Sequence, residues 1–259
     1  MVMITSTSNR RVKWVRALQA HRRDRWKERC YLLEGSRLAL EVIHAGIPVE
    51  LVFHTERFKA KEAGLVNGLA RLGGEIQTVS ELVMAACSNT ESPSGIMVVV
   101  PFPELEIPEK LTLSLVVDGM ADPGNLGTLL RTAWAVGVEA VFLTEGCVDP
   151  FNPKVVRAAS GAHFYLPLLP IDYYEIEERL RGLELWLAES RAGIAYNEVD
   201  WLRPSALIIG SEVHGVRDEL GSLVQRRVHI PMKDGVESLN AAIAASVILF
   251  EIVRQREAK

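Results

Sequence analysis

Apolar residues recur along the chain at two spacings, and the switching between them lays out an alternation of helices and strands. Val12, Val15 and Leu18 fall at helical spacing between Arg10 and about Ala20, which predicts a helix with one apolar face. Tyr31-Leu32-Leu33 reads as a short strand feeding a helix from Ser36 to about Ala45. Val49 to Phe53, Ile76 to Val79 and Ile96 to Val100 are short, largely apolar runs that predict strands, with a polar helix across the Lys59 to Leu72 region. Next, the segment PFPELEIPEK sets Pro101, Pro103 and Pro108 among acidic residues. Proline lacks an amide donor and fixes φ, so this stretch neither continues a helix nor joins a central strand. It reads as an interdomain linker and predicts two domains, 1–105 and 106–259.

Beyond the linker, LTLSLVVDG is an apolar strand, and Asn125 is placed to cap a helix from Leu126 to Val136 that stops at Gly137. VEAVFLTEG is a second strand and completes a βαβ unit. Pro153 starts a helix through Ala159, His163 to Leu168 is extended, and Tyr173 to Leu180 is helical. LELWLAES, ALIIGSE and RVHIPM are further strands, and a last helix spans about Leu239 to Arg254. Through AAIAASVILF that helix is apolar almost all round, which predicts burial in the core or in a subunit interface. Several strands are nearly continuously apolar, the signature of a mostly parallel sheet covered on both faces. The fold class predicted is α/β, a small α/β domain followed by a larger, mostly parallel α/β domain.

At 259 residues, with 48% hydrophobic and 24% charged residues, the chain has the composition of a folded globular protein. No apolar run approaches the roughly 18 to 20 residues of a membrane helix. The first 25 residues carry Arg10, Arg11, Lys13, Arg16 and Arg22 where a signal peptide would be apolar, which predicts a cytoplasmic protein without a membrane anchor. Cys30, Cys87 and Cys147 are too far apart for a paired-cysteine zinc site and odd in number, so reduced thiols and no metal are expected. The net charge of −4 conceals an asymmetry. Residues 1–29 hold nine Lys or Arg against Asp24 and Glu28, whereas the rest of the chain is strongly acidic. Arg22, Arg23 and Arg25, with Trp14 and Trp26 interleaved, offer cations for phosphate oxygens and ring faces for bases. A nucleic acid is one reading of that cluster; a solvated, salt-bridged helix face is the other.

Parallel sheets bind ligands beyond the carboxyl ends of their strands, so the loops after Val117, Leu143, Ile209 and Ile230 are where chemistry is expected. The first of them, GMADPGNLG, has glycines at phosphate-loop spacing, but Asn125 and Leu126 stand where lysine and a hydroxyl are required. Neither a G-x-G-x-x-G, a G-x-S-x-G nor an H-E-x-x-H is present. These loops do present polar residues: Asn125 and Arg131 around the first helix, Glu212 after ALIIGS, and Ser238 and Asn240 ahead of the last helix. Taken singly, each also reads as a cap, a turn or a surface charge.

Together, DPGNLGTLLRTAWAVGVEAVFL, VDPFNPKVVRAASGAHFYLP, LIIGSEVHGV and IPMKDGVESLNAAIAASVILFE resemble, in order, the signature motifs of the SpoU (TrmH) family of RNA ribose methyltransferases in the SPOUT superfamily. The likeness spans about 111–252, and ITSTSNRRVKWVRAL with LLEGSRLALEVI is similar to the substrate-binding domain of the family's ribosomal RNA members. The resemblance implies S-adenosylmethionine as cofactor, the 2′-hydroxyl of an RNA nucleotide as acceptor, a homodimer and a trefoil knot in the catalytic domain. Large-subunit ribosomal RNA is the favoured substrate, with a tRNA ribose methyltransferase or a non-catalytic RNA binder as the alternatives. It also implies a cofactor pocket lined by the backbone of Gly210, Ile230 and Leu239. Arg131 is implied as the residue acting on the 2′-hydroxyl, oriented by Asn125 and Glu212, with Ser238 and Asn240 shaping the loop wall and Arg157 touching phosphate. Because arginine stays protonated, electrostatic stabilisation of the alkoxide suits Arg131 better than general-base action. Many members read Gly-Asn-Glu-Gly where this chain has Gly210-Ser211-Glu212-Val213, and His214 follows.

Overall fold

A computed structural model of the chain describes residues 2–211, 215–224 and 226–258. Two compact units emerge, Met1–Glu104 with Phe151–Phe164, and Leu105–Pro150 with Tyr165–Lys259.

The first unit contains helices α1 (Arg10–Ala20), α2 (Arg22–Glu28), α3 (Ser36–His44), α4 (Glu56–Lys61), α5 (Ala63–Arg71) and α6 (Glu81–Cys87). Its four strands, β1 (Cys30–Glu34), β2 (Leu51–His54), β3 (Glu75–Thr78) and β4 (Ile96–Pro101), make a mixed sheet of order β1-β4-β2-β3. The unbroken apolar runs of β1 and β4 follow from burial on both faces. Tyr31, Leu33, Ile96, Val98 and Val100 point into one cluster with Leu38, Val42, Val66 and Leu69. Leu32, Met97 and Val99 point into the other, with Val12, Val15, Leu18, Val83 and Met84. Period-two alternation therefore distributes an all-apolar strand between two cores.

The second unit contains α7 (Pro123–Ala135), α9 (Ile176–Arg179), α10 (Asp218–Leu223) and α11 (Ala241–Glu257); α8 (Pro153–Ala159) belongs to the first. Strands β5 (Leu113–Val117), β6 (Ala140–Leu143), β7 (Leu168–Pro170), β8 (Glu184–Glu189), β9 (Ile194–Ala195), β10 (Ser205–Ile209) and β11 (Arg226–His229) form a sheet of order β7-β6-β5-β10-β8-β11-β9. Every pairing in it is parallel. β5 and β10 are buried along their whole length at its centre. α7 and α11 pack on each other, with Ser246 donating to the Thr132 hydroxyl at 3.0 Å, and Leu129, Leu130, Ala242 and Ala245 of these helices are inaccessible to solvent.

Several expectations change. Asp122, not Asn125, caps α7: its carboxylate accepts from the Asn125 amide at 2.7 Å and Pro123 takes the first helical position. Asn125 thus lies inside the first turn, where its Oδ1 accepts from the Asn240 side chain. The last helix starts at Ala241 behind Asn240, whose side chain accepts from the Ile243 amide. It is apolar all round yet leaves Ile243 and Phe250 about half exposed in the single chain. The 59–72 helix is two helices meeting at Glu62, and 163–168 contributes a 3-10 turn at Ala162–Phe164 instead of extended chain. α2, α6, α10 and β9 have no counterpart in the hydrophobic pattern. α2 buries only Arg25, so apolar periodicity carries no trace of it.

A linear reading assigns Phe151–Phe164 to the second domain, but in space this segment completes the first unit's core. Phe151 stacks on Phe102 with centroids 3.8 Å apart and lies against Tyr31 and Trp26, while Val156 and Phe164 join the same cluster. We expect Phe151→Ala to lower stability by about 3–5 kcal/mol, the usual cost of deleting a buried phenyl ring, read by urea unfolding. A loss below about 1 kcal/mol would show that the segment is peripheral to that core.

Candidate active site

The strand order reverses between β5 and β10, and a cavity of about 760 Å³ opens beside that reversal, beyond the carboxyl ends of β10, β8 and β11. Such reversals leave a crevice that neighbouring loops cannot fill. The walls come from four stretches of chain: Leu187–Ser190, Ile209–Ser211 with Gly215 and Val216, Ile230 with Met232, and Ser238 with Leu239. Ala241, Ala244 and Ile248 of α11 form its apolar back, and Asp218, Gly221 and Ser222 of α10 another side.

Backbone geometry explains two glycines, Gly210 in the lining and Gly193 just before β9. A Cβ on Gly210 would lie 2.3 Å from the carbonyl carbon of Gly215, so only glycine lets the exit of β10 pass this close to its own return. That return is held by a reciprocal pair: the Ser211 amide donates to the Gly215 carbonyl at 2.8 Å, and the Gly215 amide donates back at 2.9 Å. Gly193, at φ +93°, passes so close to the carbonyl of Arg227 that a Cβ would stand 2.0 Å from its oxygen.

The electrostatics of the lining narrow the ligand class. Among the described lining residues there is no lysine, and the one arginine, Arg227, is ion-paired with Glu189. Glu189 and Asp218 place two carboxylates on the wall. A phosphate-bearing dinucleotide would meet no free cation here, whereas a ligand with an apolar ring, hydroxyls and positive charge is matched by apolar, backbone and carboxylate surfaces. Among the described residues no group of His, Cys, Asp and Glu can hold a metal ion.

Of the residues expected to act, Gly210, Ile230, Leu239 and Ser238 all line this cavity. Asn240 donates its side-chain amide to Asn125 Oδ1 at 3.0 Å, joining the start of α11 to the first turn of α7. Arg131 is exposed on α7, outside the cavity lining, and no hydrogen bond or ion pair to it is found among the described residues. Glu212, Val213 and His214 lie outside the described residues. Arg157 belongs to the first unit, where it donates to Asn89 Oδ1 at 2.6 Å. Arg22 and Arg23 are exposed, with Arg22 5.7 Å from the Trp26 ring. Arg25 departs from expectation: it is 2% exposed, and its guanidinium donates to the Leu18 carbonyl at 2.7 Å, tying off the last turn of α1. A charge committed in this way to orphaned helix carbonyls is a structural tie and not a phosphate contact.

Sequence reasoning missed Glu189, Arg227 and Asp218, which sit at a strand end, in a strand and on a helix with no motif of their own. It also passed over Asp118, the first residue of the very loop that the strand-end rule singled out.

With this geometry in view, comparison with known proteins is decisive. Residues 112–250 match the SpoU rRNA Methylase family, and residues 9–98 match the MRM3-like substrate binding domain. The chain belongs to the SpoU rRNA methylase family. This SpoU methylase is 32% identical to the 23S rRNA (guanosine(2553)-2'-O)-methyltransferase RlmP of Bacillus subtilis, over 97% of its own length and 99% of that protein's. It superposes on the AdoMet-bound rRNA methyltransferase of Sinorhizobium meliloti with a TM-score of 0.86 at 26% identity, over 98% of this chain and 97% of that one. The TrmH/SpoU tRNA modifying enzyme of A. aeolicus matches at TM-score 0.51 and 28% identity, covering 57% of this chain and 77% of that one.

Gly210→Ala is expected to disrupt the methylase's cavity wall, because the added methyl meets backbone and not a mobile side chain. Cofactor binding measured by calorimetry should fall by about 10-fold or more, since a displacement of about 1 Å at such a site has effects of this order. Unchanged affinity would show that Gly210 is not part of the binding surface.

Proposed function

We propose that the protein transfers a methyl group from S-adenosylmethionine to a ribose 2′-hydroxyl of large-subunit ribosomal RNA. The observation that carries this reading is the cavity beyond β10, β8 and β11: it has the size of a small-molecule site, the one arginine among its described lining residues is neutralised, and it is built on the portion of the chain that matches the methylase family. When bound, S-adenosylmethionine supplies an electrophilic methyl group on a sulfonium, whose departure leaves a neutral thioether. Gly210, Ile230 and Leu239 would hold it through backbone and apolar contacts. Glu189 and Asp218 offer acceptors for its hydroxyl and ammonium groups.

The acceptor is the harder partner, a weakly acidic alcohol that must give up its proton to solvent water as the methyl–oxygen bond forms and the methyl–sulfur bond breaks in line. Arg131, exposed on α7, stabilises the developing alkoxide and grips the neighbouring phosphate, because a guanidinium stays charged. Asn125 and Asn240, bonded to each other, fix the start of α7 relative to the start of α11. Ser238 stands on the cavity wall, and Glu212 would orient the ribose. Completion of the site by a second copy of the chain is supported by two features: Arg131 lies outside the cavity of its own chain, and Ile243 and Phe250 leave an apolar face on α11. A knotted path through the catalytic unit is what the match to the SpoU rRNA Methylase family implies.

Ribosomal over transfer RNA is favoured by the first unit, which matches a substrate-binding domain over residues 9–98, while the likeness to the tRNA modifying enzyme covers 57% of the chain. Arg10, Lys13, Arg16, Arg22, Arg23 and Lys27 are all exposed on α1 and α2 and provide its cationic surface.

The deciding experiment supplies labelled S-adenosylmethionine with ribosomal and transfer RNA and maps alkali-resistant ribose. Label at one large-subunit nucleotide is the expected result; label only on transfer RNA would overturn the substrate assignment. Arg131→Ala should reduce transfer by about 100-fold or more while leaving cofactor affinity within about a factor of two, and turnover near the parent rate would remove Arg131 from the mechanism. Arg22→Ala with Arg23→Ala should weaken RNA binding and lower the slope of log affinity against log salt by about 2. An unchanged slope would place the RNA surface elsewhere.

A further inference from the structure

Asp118, the first residue after β5, is fully buried, and a buried carboxylate is costly unless its oxygens are used. Here both are. Oδ1 accepts from the Thr144 hydroxyl at 2.5 Å and from the Tyr173 hydroxyl at 2.7 Å. Oδ2 accepts from the backbone amide of Arg217 at 2.8 Å. None of these bonds belongs to the sheet ladder, which Asp118 serves through its own amide on the Ile209 carbonyl. Burial, with Asp118 itself, pushes the Tyr173 hydroxyl up to about 12, outweighing the opposing charge of the Arg217 guanidinium 5.7 Å from the Tyr173 ring centroid, so the hydroxyl stays a donor.

The Arg217 amide marks a critical point on the cavity wall. Gly215 and Val216 line the cavity just before it, and Asp218, Gly221 and Ser222 of α10 line it just after. On the β10 side this wall is secured by the reciprocal Ser211–Gly215 pair; at its other end it is secured by Oδ2 of Asp118. Asp118 does not itself line the cavity. Its own loop runs directly into Asp122 and α7, the helix that bears Arg131.

We infer that Asp118 is a positioning residue for methyl transfer: its carboxylate ties the wall between Gly215 and α10 to the exit of β5, so that cofactor and Arg131 helix share one anchor. Thr144 and Tyr173 aim that carboxylate. The inference rests on the cavity being the cofactor's.

The test compares Asp118→Ala, Asp118→Asn, Tyr173→Phe and Thr144→Val in the full chain, by calorimetry with S-adenosylmethionine, methyl transfer and RNA binding without cofactor. Asp118→Ala should weaken cofactor affinity by about 10- to 100-fold and lower transfer, with RNA affinity held within about a factor of two. Asp118→Asn should restore most of the cofactor affinity, because its amide oxygen accepts from Arg217 while its NH2 donates to the rotated hydroxyls. Tyr173→Phe and Thr144→Val, which leave Oδ2 on Arg217, should each cost less than about threefold. A folded Asp118→Ala protein that binds cofactor like the parent overturns the inference, as does an Asp118→Asn protein no better than Asp118→Ala. Should Asp118→Ala fail to fold, hydrogen exchange at the Arg217 amide of the parent decides: protection is expected, and exchange at the rate of an open amide overturns the tether. A parent chain that binds no S-adenosylmethionine defeats the reading of the cavity itself, which an unaffected Asp118→Ala variant beside a binding parent does not.

Discussion

The parallel pairing of β5 with β10 at the centre of the second sheet is the constraint from which the site follows. Parallel strands deliver their carboxyl ends to one edge, so the loops carrying Asp118, Gly210 and Ser211 leave the sheet side by side although nearly a hundred residues separate them in sequence. Both strands are buried throughout, and a shift of register would set apolar side chains against the wrong layer. The cavity is therefore fixed by the core. Loops alone would hold such a pocket loosely; here its walls start from strand ends that cannot move without opening the sheet.

Polar chemistry concentrates where these loops meet. The Asn125–Asn240 bond joins two helix starts, the Ser211–Gly215 pair closes a return, and Glu189 neutralises Arg227 on the lining. The first two use short side chains or backbone groups, with little rotamer entropy to lose, which suits a surface that must hold a small ligand to a fraction of an ångström. Arg131, by contrast, is exposed on α7 outside the cavity lining.

Much of the fold was legible because burial on two faces leaves an unmistakable trace. β1, β4, β5 and β10 are almost purely apolar, and helices between them could only lie above and below. The strand-end rule likewise pointed to two of the loops that line the cavity, those after Ile209 and Ile230, but not to the one after β8, and the loops after Val117 and Leu143 lie outside the lining. Legibility failed where structure rests on something other than apolar periodicity. α2 buries a single arginine, and charge content identified that residue as an RNA contact when its guanidinium caps α1. Asn125 has cap chemistry, but Asp122 stands next to Pro123 and takes the role. Glu189 and Asp118 matter through partners distant in sequence, which no local pattern reveals.

The excursion of Phe151–Phe164 into the first unit has a bearing on biogenesis. Residues 1–104 leave the ribosome first, yet the ring that stacks on Phe102 and the side chains beside Tyr31 arrive only after β5, α7 and β6 have been made. At about 5–20 residues per second, the nascent amino-terminal unit waits several seconds with an unfilled core, a window in which a chaperone would bind it. Gene fusions or domain exchanges that cut once, at the proline-rich segment, would leave that core permanently incomplete; a transplant of the first unit has to bring its distant second piece along.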